Sequence, residues 1–273
     1  MAAIPPEKAP KSGLNIYGCQ SVNPYKLTIA AEELSIPYNY INLDMSKGEP
    51  GAEWYASINP NGRMPAIVHN KEDGTSVTIF ESAACLLYIA HEFDKKHSIS
   101  YPIGTAGYWS QLSWLSWQVS GYGPFMGQAA FFNRYTTEPV PYASWRYTSE
   151  CRRLHHVLDK QLGSSPFVAG DQMTVADFAV FIFAHSTRWC GIDISNYPNV
   201  KAWHDKLAQR PAFQKALQVP VPYPFSDEAV SNPDPGAQEF YKGMRKYGGQ
   251  GIKAAHEQWG GDVAPVPSDH ANL

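Results

Sequence analysis

Leu14-Asn-Ile-Tyr-Gly18 alternates like a short strand, Tyr38–Leu43 reads as a second, and β-branched runs follow at Ala66–His69 and Val77–Phe80. This patterning predicts four short strands, the last two joined by a turn at Lys71-Glu-Asp-Gly74. Elsewhere the apolar spacing changes to three and four. It predicts a helix that starts at Asn23 or Pro24, runs through Lys26–Leu34 and stops at Ser35-Ile-Pro37, and another over Ser82–Phe93. After a loop around Tyr101-Pro-Ile-Gly104, the chain reads as helical over roughly 105–132, 140–162, 174–189 and 199–208. Past about Pro220 the pattern collapses into Pro, Gly and polar residues, with one helix near 236–246; an extension lying over the surface, or partly disordered, is expected. Residues 1–12 are Pro- and Lys-rich and are expected to be mobile.

The elements divide the chain into a mixed α+β unit over 13–98, an all-helical unit over 105–219 and an extension over 220–273. Eight Trp and sixteen Tyr supply ample material for a core. The formal charge is −3 with scattered basic residues, which argues against nucleic acid or an anionic membrane as partner. No segment approaches the ~20 apolar residues needed to span a bilayer, and MAAIPPEKAPKSG carries no apolar signal core. Cys19, Cys85, Cys151 and Cys190 lie far apart, as free thiols in a reducing compartment do, so a cytoplasmic location is expected. Histidines and cysteines form no metal-binding pattern, and no metal is expected. Thr174-Val-Ala-Asp177, ahead of an apolar run, reads as a capping box with a structural role.

Candidate chemistry begins at Asn59-Pro-Asn-Gly-Arg-Met-Pro-Ala-Ile-Val68. Pro65 cannot donate a backbone hydrogen bond, which suits an edge or a cis turn, and it pushes Met64 into an extended conformation. An extended residue beside an edge can pair its N–H and C=O with the main chain of a small peptide. Glu81-Ser82 then opens a helix, whose N-terminus attracts a carboxylate while the acid beside it can hold an ammonium.

Four segments resemble the glutathione transferases, and within them a fungal group similar to the yeast nitrogen-catabolite regulator. They are NPNGRMPAIV with FESAA, LSWLSWQVSGYGPFMGQAAFF (112–132), RYTSECRRLHHVLDKQL (146–162), and FVAGDQMTVADFAV (167–180) with NYPNVKAWHDKLAQRPAFQKAL (196–217). The resemblance implies a thioredoxin-like N-terminal domain, an all-α helical bundle behind it, glutathione as cofactor and a homodimer. It implies that Met64 pairs with the cysteinyl backbone, with Pro65 holding the geometry. Glu81 takes the γ-glutamyl ammonium and Ser82 the γ-glutamyl carboxylate. Arg63 is either the partner of the glycine carboxylate or an exposed turn arginine. Relatives carry a polar side chain where this sequence has Pro50, which puts the glycyl contact in doubt.

A thiol near its reference pKa of ~8.5 must be held as the thiolate, and a shift of ~2 units needs ~2.7 kcal/mol of preferential interaction. In the resemblance Ser21 and Asn23 match the donors that face the sulfur; N-capping of the first helix is the competing role for both. Tyr17 lies in a strand and Tyr25 in a helix, so neither sits where the tyrosine-type enzymes carry theirs. Cys19 falls in a strand, where an inert buried thiol is expected. Tyr25, Tyr108, Trp117, Tyr122, Phe125 and Met126 are the candidates for an apolar acceptor pocket. Trp114, Phe131 and Phe132 share their aromatic run, most of which is expected to be core or subunit contact. Ser120-Gly-Tyr-Gly-Pro124 is expected to interrupt the helix and shape that pocket, and Arg134 to reach across a dimer interface.

The leading expectation is a glutathione S-transferase adding the bound thiolate to a bulky apolar electrophile, in fungal detoxification or secondary metabolism. A glutathione-dependent cis/trans isomerase, a peroxidase and a non-catalytic regulatory binding protein are the alternatives. The Asn/Gln-rich arm associated with the regulator is missing, which favours an enzyme.

Overall fold

The computed structural model describes residues 2–136 and 138–246. The chain first builds β1 (Gly13–Gly18), α1 (Pro24–Glu33), β2 (Tyr38–Asn42), α2 (Glu53–Ala56), β3 (Ala66–Asn70), β4 (Ser76–Phe80) and α3 (Ser82–Phe93). The sheet order is β2-β1-β3-β4, with β1 parallel to β2 and β3 antiparallel to both its neighbours. Strand patterning follows position. β1 and β3 are internal and buried along nearly their whole length, because both faces are covered. β4 is an edge strand, and its Ser76, Thr78 and Phe80 face outward. β3 is therefore a central strand, not the expected edge; the free backbone ahead of it lies in the loop, before the ladder begins.

One face of the sheet packs Leu14, Ile16 and Ile67 against α1 and α3. The other holds a smaller cluster of Tyr17, Ile41, Trp54, Tyr55 and Val68. Residues 2–12 are anchored rather than loose: Lys8 Nζ meets Glu49 Oε2 at 2.7 Å, and the Tyr17 hydroxyl donates to the Lys8 carbonyl at 2.8 Å.

The helical part contains α4 (Ala106–Trp117), α5 (Gly123–Ala130), α6 (Pro141–Leu162), α7 (Val175–Ala184), α8 (Pro198–Ala208) and α9 (Pro211–Ala216). All ten residues of α7 are buried, as expected of a helix apolar on every side. Its start is the capping box predicted at Thr174: the Thr174 side chain accepts from Ala176 N, and Thr174 N donates to Asp177 Oδ2 at 2.8 Å. Asp177 also accepts from Val168 N at 2.9 Å and Trp203 Nε1 at 3.0 Å, so one buried carboxylate ties α7 to the preceding loop and to α8.

Two departures from the sequence reading matter for the site. The segment Ser120–Pro124 does not break the helix: Gln118–Tyr122 forms a π-turn that hands α4 directly to α5. The extension also belongs to the core in part. Tyr223 and Phe225 are buried in the main cluster, α10 (Asp227–Ser231) follows, and the chain is helical again over 235–246 (α11). The remainder of the expected extension, 247–273, lies outside the described residues.

Buried histidines give the fold an acid limit. His155 Nδ1 donates to the Cys151 carbonyl at 2.8 Å, which leaves Nε2 to accept from the Tyr122 hydroxyl at 3.0 Å. Burial pushes His155 down to about 4 and His185 down to about 3. The folded state keeps both rings neutral, while the unfolded chain protonates them near pH ~6.5. Stability is therefore fully present above pH ~6.5 and is lost as pH falls toward 4, by ~3 kcal/mol for His155 alone. Thermal melts from pH 7 to 4 should show this slope, and His155→Gln should flatten it.

Candidate functional site

A cleft of about 1190 Å³ opens where β1 meets α1, and its floor is made by the thioredoxin-like sheet's loops. Gly18 makes the junction tight: a Cβ there would lie 2.7 Å from Pro24 Cβ and 2.5 Å from the Tyr40 hydroxyl oxygen. The turn Cys19–Asn23 follows, closed by Ser21 N donating to the Cys19 carbonyl at 2.8 Å.

Asn23 occupies the N-cap position of α1 but has helical angles (φ −67°, ψ −35°), and its side chain makes no capping bond. A capping side chain folds back from an extended residue, which Asn23 is not. Its amide and the Ser21 hydroxyl make no hydrogen bond to another described residue, and both residues line the cleft. The capping role weighed for these residues is thus not realised.

Met64 and Pro65 line the same cleft across a cis peptide bond. Neither the N–H nor the C=O of Met64 is taken by another described residue, whereas the Arg63 carbonyl accepts from Tyr55 Oη at 2.9 Å and Asn59 Nδ2 at 2.6 Å. Arg63 itself is exposed at the rim, and Pro50 does not line the cleft.

Glu81 is held at φ +71°, a left-handed conformation that a residue with a Cβ rarely adopts. Asn61 Nδ2 donates to its Oε1 at 3.3 Å, fixing the carboxylate on the cleft. Ser82, buried at the start of α3, accepts at Oγ from Lys26 Nζ at 3.1 Å.

Lys26 escaped the sequence reading. It is 1 % exposed, donates to Gln118 Oε1 at 2.7 Å and sits 5.2 Å from the centre of the Phe183 ring. Burial pushes its amine down to about 7, against the pull of the Glu81 carboxylate. The π-turn presents Gln118 to it, and Gly123 leaves room, since a Cβ there would meet Gln118 Nε2 at 2.7 Å. The available signal was a lone cation inside the otherwise uncharged run Pro24–Ala31.

Cys19 lines the cleft but is buried, with its thiol against Met64 Sδ at 2.9 Å and pushed up to about 12 by burial. It is a poor thiolate. All four cysteines are free and buried. No cluster of potential metal ligands occurs among the described residues.

The residues expected to form an acceptor pocket do not line this cleft. Tyr122 and Met126 are fully buried, Tyr122 stacking on Trp117 with ring centres 5.0 Å apart. Phe125 packs on Tyr147, and Tyr108 on Trp109. None of the five lines the cleft, because the face of α4 and α5 that carries them turns toward α6, α7 or the outside. Tyr25 is also buried, its hydroxyl donating to the Val221 carbonyl at 3.0 Å from behind the cleft wall. Arg134 is used within its own chain, donating to the Arg188 and Trp189 carbonyls at 3.2 Å each. The apolar wall comes instead from Tyr135, Val221, Phe225, Phe240 and Met244.

Comparison with known proteins matches residues 12–91 to the N-terminal domain of glutathione S-transferase and residues 129–218 to its C-terminal domain. The disulfide-bond oxidoreductase YfcG of Escherichia coli is 37 % identical over 206 residues, covering 75 % of this chain and 94 % of the relative. The glutathione S-transferase-like protein gedE of Aspergillus terreus is 34 % identical over 225 residues, covering 77 % and 97 %. Among solved structures, a glutathione transferase homolog from Lodderomyces elongisporus with two GSH per subunit superposes with a TM-score of 0.74 at 35 % identity, over 77 % of this chain and all (100 %) of that one. Ure2p in complex with glutathione gives a TM-score of 0.71 at 29 % identity, over 78 % and 96 %.

The strained backbone at Glu81 is directly measurable. Glu81→Gly should stabilise the fold by about 1 kcal/mol in denaturant titrations, because glycine adopts positive φ without steric cost. Glu81→Ala, which keeps the Cβ, should give no such gain.

Proposed function

The chain belongs to the glutathione S-transferase family, and from that premise we propose that it binds glutathione in the cleft and transfers its sulfur to an apolar electrophile. The observation that carries this reading is Asn23: a side-chain amide with no capping duty, at a helix N-terminus, opening onto the same cleft as Glu81, Ser82 and Met64.

In this reading Glu81 holds the γ-glutamyl ammonium. Ser82 and the N-terminus of α3 take the γ-glutamyl carboxylate, with Lys26 behind the hydroxyl. The N–H and C=O of Met64, unpaired among the described residues, take the cysteinyl backbone, and Arg63 the glycyl carboxylate. The cysteinyl thiol then lies against Asn23 and Ser21. Their N–H and O–H donate to the sulfur, and the α1 dipole adds to the stabilisation, so the thiolate persists at neutral pH. Its lone pair forms the C–S bond. The acceptor either expels a leaving group with its electron pair or, if it is a conjugated alkene, takes the pair as a carbanion that water protonates. Rotation within that carbanion before protonation, followed by expulsion of the glutathione thiolate by its electron pair, would isomerise the alkene.

Cys19 has no place in this scheme, since its thiol is held protonated. A second reading, reduction of a disulfide by bound glutathione, is favoured by the similarity to a bacterial disulfide-bond oxidoreductase. It uses the same thiolate, attacking one sulfur of the disulfide and expelling the other as a thiolate; a second glutathione then resolves the mixed disulfide to glutathione disulfide. We place the activity in the cytoplasm, in detoxification or secondary metabolism, and in a homodimer that covers the outward face of β4, where Phe80 is 40 % exposed.

Asn23→Ala should lower kcat with 1-chloro-2,4-dinitrobenzene roughly 10- to 100-fold, the equivalent of one hydrogen bond to a charged group. Calorimetry on the same variant should return an almost unchanged glutathione Kd. Glu81→Ala should do the reverse, weakening glutathione about tenfold or more. Wild-type behaviour in both would place the site elsewhere.

A further inference from the structure

Residues 2–11 precede the span matched to the transferase N-terminal domain, which begins at 12. They are nonetheless fastened at several points. Ile4 packs against the cluster of Tyr17, Ile41 and Trp54. The turn Pro6–Lys8 is closed by Lys8 N donating to the Pro5 carbonyl at 2.8 Å. Lys11 and the buried Asn15 side chain exchange two hydrogen bonds of 2.8 Å, Lys11 N donating to Oδ1 and Nδ2 donating to the Lys11 carbonyl. Lys8 is thus held from both sides.

Its amine lands on the loop that follows β2. Nζ donates to the Asn42 carbonyl at 2.5 Å and to Glu49 Oε2 at 2.7 Å. The same Glu49 oxygen accepts from Asp44 N at 2.7 Å, and Glu49 N donates back to the Asp44 carbonyl at 3.2 Å. Both side chains of the ion pair are only 14 % exposed. Solvent screening is therefore reduced, and one carboxylate serves a side-chain and a backbone donor together. Lys47, on the same loop, differs: it lies 3.7 Å from Asp44 with 74 % of its side chain exposed, a pair of the kind that contributes little.

The fastened loop is part of the cleft, which Asn42, Asp44, Met45 and Ser46 line. Its far end reaches the turn ahead of Met64. The Pro50 carbonyl oxygen lies so close to Gly62 that a Cβ there would come within 3.1 Å of it. Gly62 stands between Asn61 and Arg63, both of which line the cleft. A loop left free would have to be ordered when a ligand arrives, and that ordering would be subtracted from the binding free energy.

We propose that Lys8 is a positioning residue: through its bridge to Asn42 and Glu49, the segment ahead of β1 locks the 42–50 loop in its ligand-ready form and so raises the affinity for glutathione without touching it. The inference rests on the glutathione reading of the cleft, and exchange of the loop's own amides tests the lock separately. Full-length Lys8→Met, Lys8→Arg, Glu49→Met and Lys8→Met/Glu49→Met are compared with the wild type. Hydrogen exchange over 42–50 should be slow in the wild type and in Lys8→Arg, and about tenfold faster or more in Lys8→Met. Saturating glutathione should restore the protection. With 1-chloro-2,4-dinitrobenzene as acceptor, the KM for glutathione should rise about fivefold to tenfold in Lys8→Met, while kcat stays within about twofold. Lys8→Arg should bring KM back close to the wild-type value. Glu49→Met should also raise KM, and the double variant should raise it no further than Glu49→Met alone, because one bridge is removed in each. Partial misfolding cannot imitate this split, since it lowers apparent kcat and leaves KM alone. Wild-type exchange in Lys8→Met would overturn the lock. Faster exchange with an unchanged KM, a loss confined to kcat, or failure of Lys8→Arg to rescue would overturn its role in binding. If the wild type binds no glutathione in calorimetry, the transferase reading falls and the affinity claim with it, while the exchange comparison still decides whether Lys8 holds the loop.

Discussion

One buried amine organises the candidate site. Lys26 projects from α1 into a space enclosed by α3, the π-turn after α4, and Phe183 of α7. An ammonium cannot sit in such a place without compensation, since desolvating it is expensive unless its protons are received. Two oxygens receive two of them, one from Ser82 at the start of α3 and one from Gln118 on the second domain. The amine that touches Ser82 is itself held across the domain boundary by Gln118, so the two halves of the molecule share one electrostatic fixture. With its pKa near neutrality, about 7, the amine also sits where a nearby anion would most readily tip it toward the charged form.

The features around it fit a site that is arranged before ligand arrives. Glu81 retains an unfavourable φ, and Asn61 steers its carboxylate. Asn23 is drawn into the helix, so its amide is not consumed by the backbone behind it. Gly18 and Gly123 give up side chains at the two points where the site's supports come closest. Each costs some local stability, and the large buried cluster centred on α7 offsets it.

The strand pattern, the Thr174 capping box and the cluster Met64, Pro65, Glu81 and Ser82 were legible in the sequence because each depends on neighbours within a few residues. Asn23 was legible only as an ambiguity. The deciding quantity is its own backbone angle, which no local pattern encodes. The aromatic run in α4 and α5 misled for the opposite reason: periodicity tells that a ring is buried, not which neighbour buries it. Lys26 was passed over because a lysine in a helix is ordinarily solvated; only the packing of α3 and Gln118 above it makes it otherwise. The extension reads as a tail rich in Pro, Gly and polar residues, yet Tyr223 and Phe225 are anchored by rings more than thirty residues upstream.

The hydrogen bond from Tyr25 to the Val221 carbonyl joins positions separated by 196 residues. During synthesis the loop that presents Asn23 emerges early, while the surface opposite it is made only after both domains have been. A nascent chain thus carries half a cleft, open to water on one side, until the late segment folds back over the first helix. Closure of that long loop gains its reward only after both domains exist, so the walled cleft belongs to no intermediate that lacks residues 220–244.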